Sequence, residues 1–155
     1  SCFSQTDQAN NMLTVQNHQY RIQYPNTWRI DSSRNMGTEL IFYSPLDNAG
    51  DPFSENVNLM IQNLQGMNID LQKYKEITEQ QLKELGGESK IYQSAILTKD
   101  QLSHFRMDYQ MTQENRTLRF TAMCYIKDEK AYLLTFTSSV EDYEKFKKIW
   151  HHFLP

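Results

Sequence analysis

Apolar and polar residues alternate with a period of two in four segments, which is the pattern of strands that bury one face. These segments are centred on residues 20–24, 57–61, 105–111 and 118–126. Two further runs, 40–43 and 131–138, are apolar on both faces and predict well-covered strands, the second of them central in its sheet. A weaker strand is predicted over residues 88–98.

The period lengthens to that of a helix in two places. One apolar stripe is preceded by Asp70 as a candidate cap and followed by Gly86-Gly87 as a candidate end. Its members are Leu71, Tyr74, Ile77, Leu82 and Leu85. A capping box starting at Ser139 precedes the second helix. The apolar stripe of that helix is aromatic and consists of Tyr143, Phe146, Trp150 and Phe153.

Short polar connectors join the strands between residues 102 and 138, which predicts an antiparallel meander. The pattern therefore predicts an α+β fold in which two amphipathic helices cover an antiparallel sheet. A length of 155 residues suits one domain, predicted over 12–155, after a flexible polar tether at 1–11. The net charge of -3 gives no electrostatic reason to expect nucleic acid.

The sequence predicts different roles for the two cysteines. Cys2 follows Ser1 and precedes a polar stretch, the arrangement found around the lipid-bearing cysteine of bacterial lipoproteins. The alternative interpretation of Cys2 is a chance cysteine in a trimmed tail. Cys124 lies in an alternating strand and faces inward, so its thiol should be inert and a disulfide with Cys2 is not expected.

No motif predicts catalysis or a cofactor. The histidines lack metal-ligand spacing with cysteines or acids; they are His18, His104, His151 and His152. The loop over residues 45–56 is the most ligand-like stretch, because it carries oxygen donors of the kind calcium prefers. These donors are Asp47, Asn48, Asp51 and Glu55. A plain turn is the alternative interpretation, since their spacing does not match the 12-residue calcium loop.

Two weaker hypotheses concern the strand surfaces. His104, Arg106 and Asp108 could contribute to an active site assembled from scattered residues, which would require a deep pocket with convergent polar groups. Tyr125 and Tyr132 are candidates for an aromatic protein-contact patch, although such residues are more often packed within a sheet.

Short motifs in a fixed order resemble PsbP-like domains over residues 18 to 154. The first half of those domains is matched by Tyr24-Pro25-x-x-Trp28, Phe42-x-Ser44-Pro45 and Glu55-Asn56-Val57-Asn58-Leu59. Their last strand and helix are matched by Tyr132-Leu133-Leu134-Thr135-Phe136-Thr137 and by Tyr143, Phe146, Ile149 and Phe153. The resemblance implies an α/β/α sandwich with a central antiparallel β-sheet.

This fold is shared by the photosystem II protein PsbP, the Ran-binding import factor Mog and bacterial envelope proteins such as DcrB, none of them known as an enzyme. The envelope branch fits Cys2 best. The leading hypothesis is a non-catalytic lipoprotein on the periplasmic side of the bacterial envelope, which binds or assembles a protein partner and touches the membrane only through its lipid. The alternatives are a small ligand-binding protein or cryptic hydrolase, and a cytoplasmic, Ran-binding Mog-type import factor.

Overall fold

A computed structural model describes residues 3–7, 11–46, 54–85, 87–150 and 153, with the backbone alone described for 3–7 and Trp150. No helix in these ranges is long and apolar enough to cross a membrane. The two helices are α1 (Leu71–Glu84) and α2 (Tyr143–Trp150). The strands are β1 (Phe3–Asp7), β2 (Met12–Gln16), β3 (Arg21–Pro25), β4 (Arg29–Asp31), β5 (Leu40–Tyr43), β6 (Asn56–Asn63), β7 (Glu88–Lys99), β8 (Leu102–Gln113), β9 (Arg116–Lys127) and β10 (Lys130–Ser139).

Seven of the strands form the main sheet, in the order β4-β5-β6-β10-β9-β8-β7, and all neighbouring pairs are antiparallel. The predicted meander is confirmed as β8-β9-β10. Both residues at the tip of each hairpin have positive φ, as in type I′ turns, which match the twist of the flanking strands. Of the two runs that are apolar on both faces, 40–43 forms β5 and 131–138 forms β10, and β10 lies at the centre of the sheet as predicted.

Two hydrophobic clusters cover opposite faces of this sheet. Successive residues of β9 point to opposite faces, so Met123 joins one cluster and Cys124 joins the other. Helix α1 packs on the Cys124 side, where Leu82 joins the cluster and the ring centroid of Tyr74 lies 6.2 Å from that of Phe105. Helix α2 and the strand β3 pack on the Met123 side. The predicted α+β fold and the α/β/α sandwich with a central antiparallel sheet are therefore confirmed.

Helix α1 begins as predicted, because Oδ1 of Asp70 accepts the backbone N–H of Lys73 at 2.8 Å. Its end falls one residue short of the predicted Gly86-Gly87. The helix stops at Glu84, and Leu85 is already extended; Gly86 lies outside the described residues. Gly87 has a φ of 93°, and a Cβ there would lie 2.6 Å from the carbonyl oxygen of Thr112. Glycine at 87 therefore permits the close approach of β7 to β8.

Helix α2 carries the predicted aromatic stripe into the core. Ser139 Oγ accepts the backbone N–H of Asp142 at 3.2 Å, so Ser139 closes the turn that leads into α2 and does not cap the helix itself, which begins at Tyr143. Tyr143 and Phe146 on α2 are 6% and 4% exposed. Phe153 was predicted on the same helix but follows its end at Trp150; it is 2% exposed, so all three are core residues. The side chain of Trp150 lies outside the described part of the chain.

The N-terminal segment corrects an expectation. Strand β1 occupies residues 3–7 of the predicted flexible tether and pairs with β2, which pairs in turn with β3 to form a second, three-stranded sheet. Strand β2 has an inward face that includes Leu13 and Val15, and its free edge offers backbone groups that β1 satisfies. Such pairing needs no apolar periodicity in β1. Residues 1–2 and 8–10 of the predicted tether lie outside the described residues.

Candidate binding site

An apolar pocket of about 230 Å³ opens where β3 of the small sheet packs over β9 and β10 of the main sheet. Aliphatic and aromatic side chains from both sheets form its walls. These are Tyr20, Ile22, Leu59, Leu102, Tyr125, Ile126, Tyr132, Leu134 and Phe153. The pocket is therefore a property of the packing between the two sheets, and no single segment of sequence contains it.

The aromatic part of the wall follows from strand register. Tyr125 and Tyr132 are direct cross-strand partners on β9 and β10, so their rings lie side by side on the pocket face. Both rings are half-buried, and burial raises the pKa of the Tyr125 hydroxyl. Tyr20 approaches from the small sheet and donates its hydroxyl hydrogen to Oε2 of Glu39 at 2.9 Å. That bond fixes the third ring in place.

Two cationic side chains lie at this pocket. Arg21 and Lys127 line it and are exposed to solvent, and no acidic side chain is among its lining residues. Neither cation forms an ion pair with any residue in the described part of the chain. The site combines apolar walls with two cations that have no ion-pair partner among the described residues.

Only part of this site was predicted from the sequence. The structure brings the predicted contact residues Tyr125 and Tyr132 together in the pocket wall. The contributions of Arg21, Leu102 and Lys127 were not predicted. The alternation around β3 did predict that Tyr20 and Ile22 share a face, yet it could not show which part of the main sheet that face would cover.

Of the four oxygen donors in the candidate cation loop, the structure describes only Glu55. Glu55 is 3% exposed, and its Oε2 accepts the backbone N–H of Ser139 at 3.4 Å, so the carboxylate points into the protein. Asp47, Asn48 and Asp51 lie outside the described residues, as does Cys2. Their proposed roles stay predictions. Within the described ranges, no group of three or more His, Cys, Asp or Glu side chains could hold a metal.

The hypothetical active site on β8 is not assembled. His104, Arg106 and Asp108 share a face, but the strand rise of about 3.4 Å per residue separates the first from the last by roughly 13 Å. The His104 ring stacks on Tyr125, with centroids 5.0 Å apart. Burial, and then the charge of Arg106, lower the pKa of His104, so it is neutral at pH 7. None of the three lines the pocket.

Asp108 instead anchors a buried polar network. It is 6% exposed and accepts hydrogen bonds from Nε of Arg106 at 3.1 Å and from the hydroxyl of Thr121 at 2.6 Å. The Thr121 hydroxyl lies 3.4 Å from that of Tyr143 on α2. The network therefore ties the start of α2 to strands β8 and β9.

We expect Asp108→Ala to lower the free energy of unfolding by about 2–3 kcal/mol, because it leaves the Arg106 charge and the Thr121 hydroxyl without a hydrogen-bond acceptor in a largely buried setting. Urea denaturation followed by circular dichroism measures the loss. Asp108→Asn is the matched control, since its amide oxygen still accepts from Thr121, and it should lose less. Equal stability of Asp108→Ala and the wild type would show that the network does not hold α2.

Cys124 behaves as the sequence predicted. Its side chain is fully buried, and burial raises the pKa of the thiol to about 12. The thiol therefore stays protonated at neutral pH and is not a nucleophile.

Family membership follows from comparison with known sequences. The sequence profile of the PsbP family matches residues 11–154, which is nearly the whole chain. The chain belongs to the PsbP family. This match confirms the resemblance that the short sequence motifs of this PsbP-family protein indicated. No curated protein matches its sequence significantly.

Solved structures with the same fold come from distant bacteria. CyanoP, the PsbP of Synechocystis, aligns with a TM-score of 0.63 at 11% identity, over 99% of this chain and 92% of its own. A Pseudomonas aeruginosa protein of unknown function, PA94, gives 0.61 at 18% identity, over 93% and 96%. LpqN of Mycobacterium tuberculosis, which is involved in cell envelope biogenesis, gives 0.58 at 12% identity, over 85% and 78%. At these identities the likeness concerns the fold.

Proposed function

We propose that this PsbP-family protein is a non-catalytic binding protein that recognises an apolar side chain of a protein partner in the pocket between its two sheets. The observation that carries the proposal is the combination of apolar walls with unpaired Arg21 and Lys127. Clefts for drug-sized ligands usually measure roughly 300–1,000 Å³. A pocket of about 230 Å³ suits one large anchor side chain better than a whole ligand.

The two cations define the chemistry next to that anchor. Acidic residues flanking the anchor would meet Arg21 and Lys127, which lack carboxylate partners in the described part of the chain. Such charge pairing at the rim of an interface mainly raises the association rate and the specificity. The proposed recognition element is therefore an apolar or aromatic residue with Asp or Glu beside it.

A random peptide library displayed on phage tests this proposal. Selection on the wild-type protein should enrich peptides in which an aromatic or long aliphatic residue is flanked by acidic residues. A second selection on a variant with Arg21→Gln and Lys127→Gln should lose the acidic preference and keep the apolar anchor. Enrichment of sequences without an apolar anchor, or no enrichment at all, would contradict the proposal.

We further propose that the protein is a lipoprotein of the bacterial envelope, attached through Cys2 on the periplasmic side. The sequence around Cys2 and the envelope role described for LpqN support this localisation. Strand β1 starts at the next residue, and the register aligns Phe3 with Gln16 and Gln16 with Arg21. With strands about 5 Å apart, Phe3 lies roughly 10 Å from Arg21 along the sheet. A lipid on Cys2 would therefore place the pocket close to the membrane surface.

Mass spectrometry of the protein purified from its own bacterium tests the anchor. The expected N-terminal residue is Cys2 carrying a diacylglyceryl group, found in the membrane fraction. A Cys2→Ser variant should lose the added mass and leave that fraction. An unmodified N-terminus on a cytoplasmic protein would contradict the lipoprotein proposal and favour the Ran-binding alternative, although the pocket proposal would stand.

A further inference from the structure

A stack of aromatic and cationic side chains crosses the main sheet away from the pocket. The guanidinium carbon of Arg119 on β9 lies 4.0 Å from the ring centroid of Tyr92 on β7 and 3.9 Å from that of Tyr143 on α2. The guanidinium group therefore lies between the two tyrosine rings, about 4 Å from each centroid. Tyr92 is 46% exposed, so one side of the stack is open to solvent.

Two lysines add charge at either end of the stack. Lys90 Nζ lies 4.9 Å from the ring centroid of Tyr92, and Lys147 Nζ lies 6.0 Å from that of Tyr143. Three cations thus surround two tyrosine rings. The nearby carboxylate of Asp108 does not neutralise them, because it is bonded to Arg106 and Thr121.

The Arg119 guanidinium has a tyrosine ring on each side and, among the described residues, no partner for its buried donor. Nε is buried and has no hydrogen-bond partner. No carboxylate in the described ranges forms an ion pair with this side chain. A partly buried cation of this kind normally has a hydrogen-bonded anion beside it. The donors of a guanidinium lie in its plane, so an anion must approach along the edge of the stack.

We infer that Arg119, held between Tyr92 and Tyr143, is a binding site for a carboxylate, such as an acidic side chain of a protein partner. The planar fork of arginine pairs with carboxylates through two parallel hydrogen bonds. A planar carboxylate extends the same layer between the two rings, whereas a tetrahedral phosphate is thicker than that layer. Lys147 and Lys90 supply additional attraction at the two ends.

This site is distinct from the apolar pocket, because none of Tyr92, Arg119 and Tyr143 lines that pocket. Arg119 and Tyr125 are six residues apart on β9, or roughly 20 Å at the usual strand rise. The buried Met123 lies between them. The inference therefore does not depend on the proposed function of the pocket. A competing explanation is that the stack only clamps the edge strand β7 to α2.

A titration of the full chain observed by ¹H–¹⁵N NMR separates carboxylate binding from a structural clamp. The probe is a peptide of six glutamates, with inorganic phosphate and sodium chloride at matched ionic strength as the other arms. The Nε–H resonance of Arg119 should shift saturably with the glutamate peptide, since a carboxylate bound at the guanidinium changes the environment of that buried proton. Phosphate and chloride should produce only small, unsaturated shifts. A Leu102→Glu variant, altered in the apolar pocket, should give the same titration.

The Arg119→Lys variant tests the planar fork, because lysine keeps the charge and loses the bidentate geometry. Calorimetry should show at least tenfold weaker binding of the glutamate peptide. The matched control is Arg29→Lys, since Arg29 is also stacked on one tyrosine ring, 4.4 Å from the Tyr43 centroid, and should leave binding unchanged. Circular dichroism verifies that both variants are folded; if Arg119→Lys unfolds, the wild-type titration decides alone.

Three results would overturn the inference. The shift of the Arg119 resonance could fail to saturate with the glutamate peptide, which would show that the stack has only a structural role between β7 and α2. Phosphate could saturate it at lower concentration than the peptide, which would reassign the ligand. A folded Arg119→Lys variant could bind the peptide as tightly as the wild type, which would place the carboxylate elsewhere.

Discussion

Replacing Phe153 by alanine should lower the free energy of unfolding by about 3–5 kcal/mol, the largest loss that we expect from a single substitution in this protein. The ring is 2% exposed. Its centroid lies 5.5 Å from that of Trp28, 5.2 Å from that of Phe42 and 6.1 Å from that of Phe136. Truncation removes these ring contacts and leaves a cavity between the C-terminal segment and the main sheet.

The matched control for this prediction is Phe120→Ala. Phe120 also stacks on a neighbouring ring, with centroids of Phe120 and Tyr109 4.9 Å apart, but it is only partly buried on β9. Its loss should be smaller, about 1–2 kcal/mol, because less apolar area returns to water. Chemical denaturation of the two variants and the wild type gives both values. A Phe153→Ala loss below that of Phe120→Ala would show that the C-terminal aromatic segment is not part of the core.

The second large effect concerns binding. Leu102→Glu should weaken binding of a pocket-selected peptide at least tenfold, which corresponds to about 1.4 kcal/mol or more. Leu102 lines the pocket and is 50% exposed. A carboxylate at this position faces the apolar anchor and must lose its hydration when the anchor enters. It also repels the acidic residues that flank the anchor.

Leu85→Glu provides a control of the same chemistry. Leu85 is 52% exposed and follows α1, on the face of the main sheet opposite the pocket. Leu85→Glu should leave the free energy of unfolding unchanged, because Leu85 is an exposed residue outside the core. It should leave the peptide affinity unchanged, because Leu85 does not line the pocket. Equal weakening by both substitutions would indicate a general charge effect and would contradict a site at Leu102.

The elements that the sequence predicted correctly are those with a strong local signal. The two helices and the strands β3, β6, β7, β8 and β9 carry apolar periodicity, β5 and β10 are runs apolar on both faces, and the hairpins carry polar two-residue tips. Strand β1 was not predicted, because its pairing with β2 rests on backbone hydrogen bonds at an edge. Gly87 was assigned to the helix end, although its role arises from contact with Thr112, far away in sequence.

The site was less accessible to prediction than the fold. Tyr125 and Tyr132 could be proposed because both lie on strands with a mixed face, and antiparallel register makes them partners. Arg21 and Lys127 reach the same pocket from different sheets, and this convergence depends on how β3 packs across β9. The surroundings of Arg119 could not be predicted either, since the two tyrosine rings beside it belong to β7 and α2. Periodicity assigns a residue to a face and does not identify its neighbours across layers.

The central claim is that the apolar pocket is a binding site for an apolar anchor flanked by acidic residues. The most direct test is the dissociation constant of one selected peptide, measured by calorimetry at a single ionic strength for the wild type, Leu102→Glu and Leu85→Glu. We predict at least tenfold weaker binding for Leu102→Glu and wild-type affinity for Leu85→Glu. Wild-type affinity for a folded Leu102→Glu variant would contradict the claim.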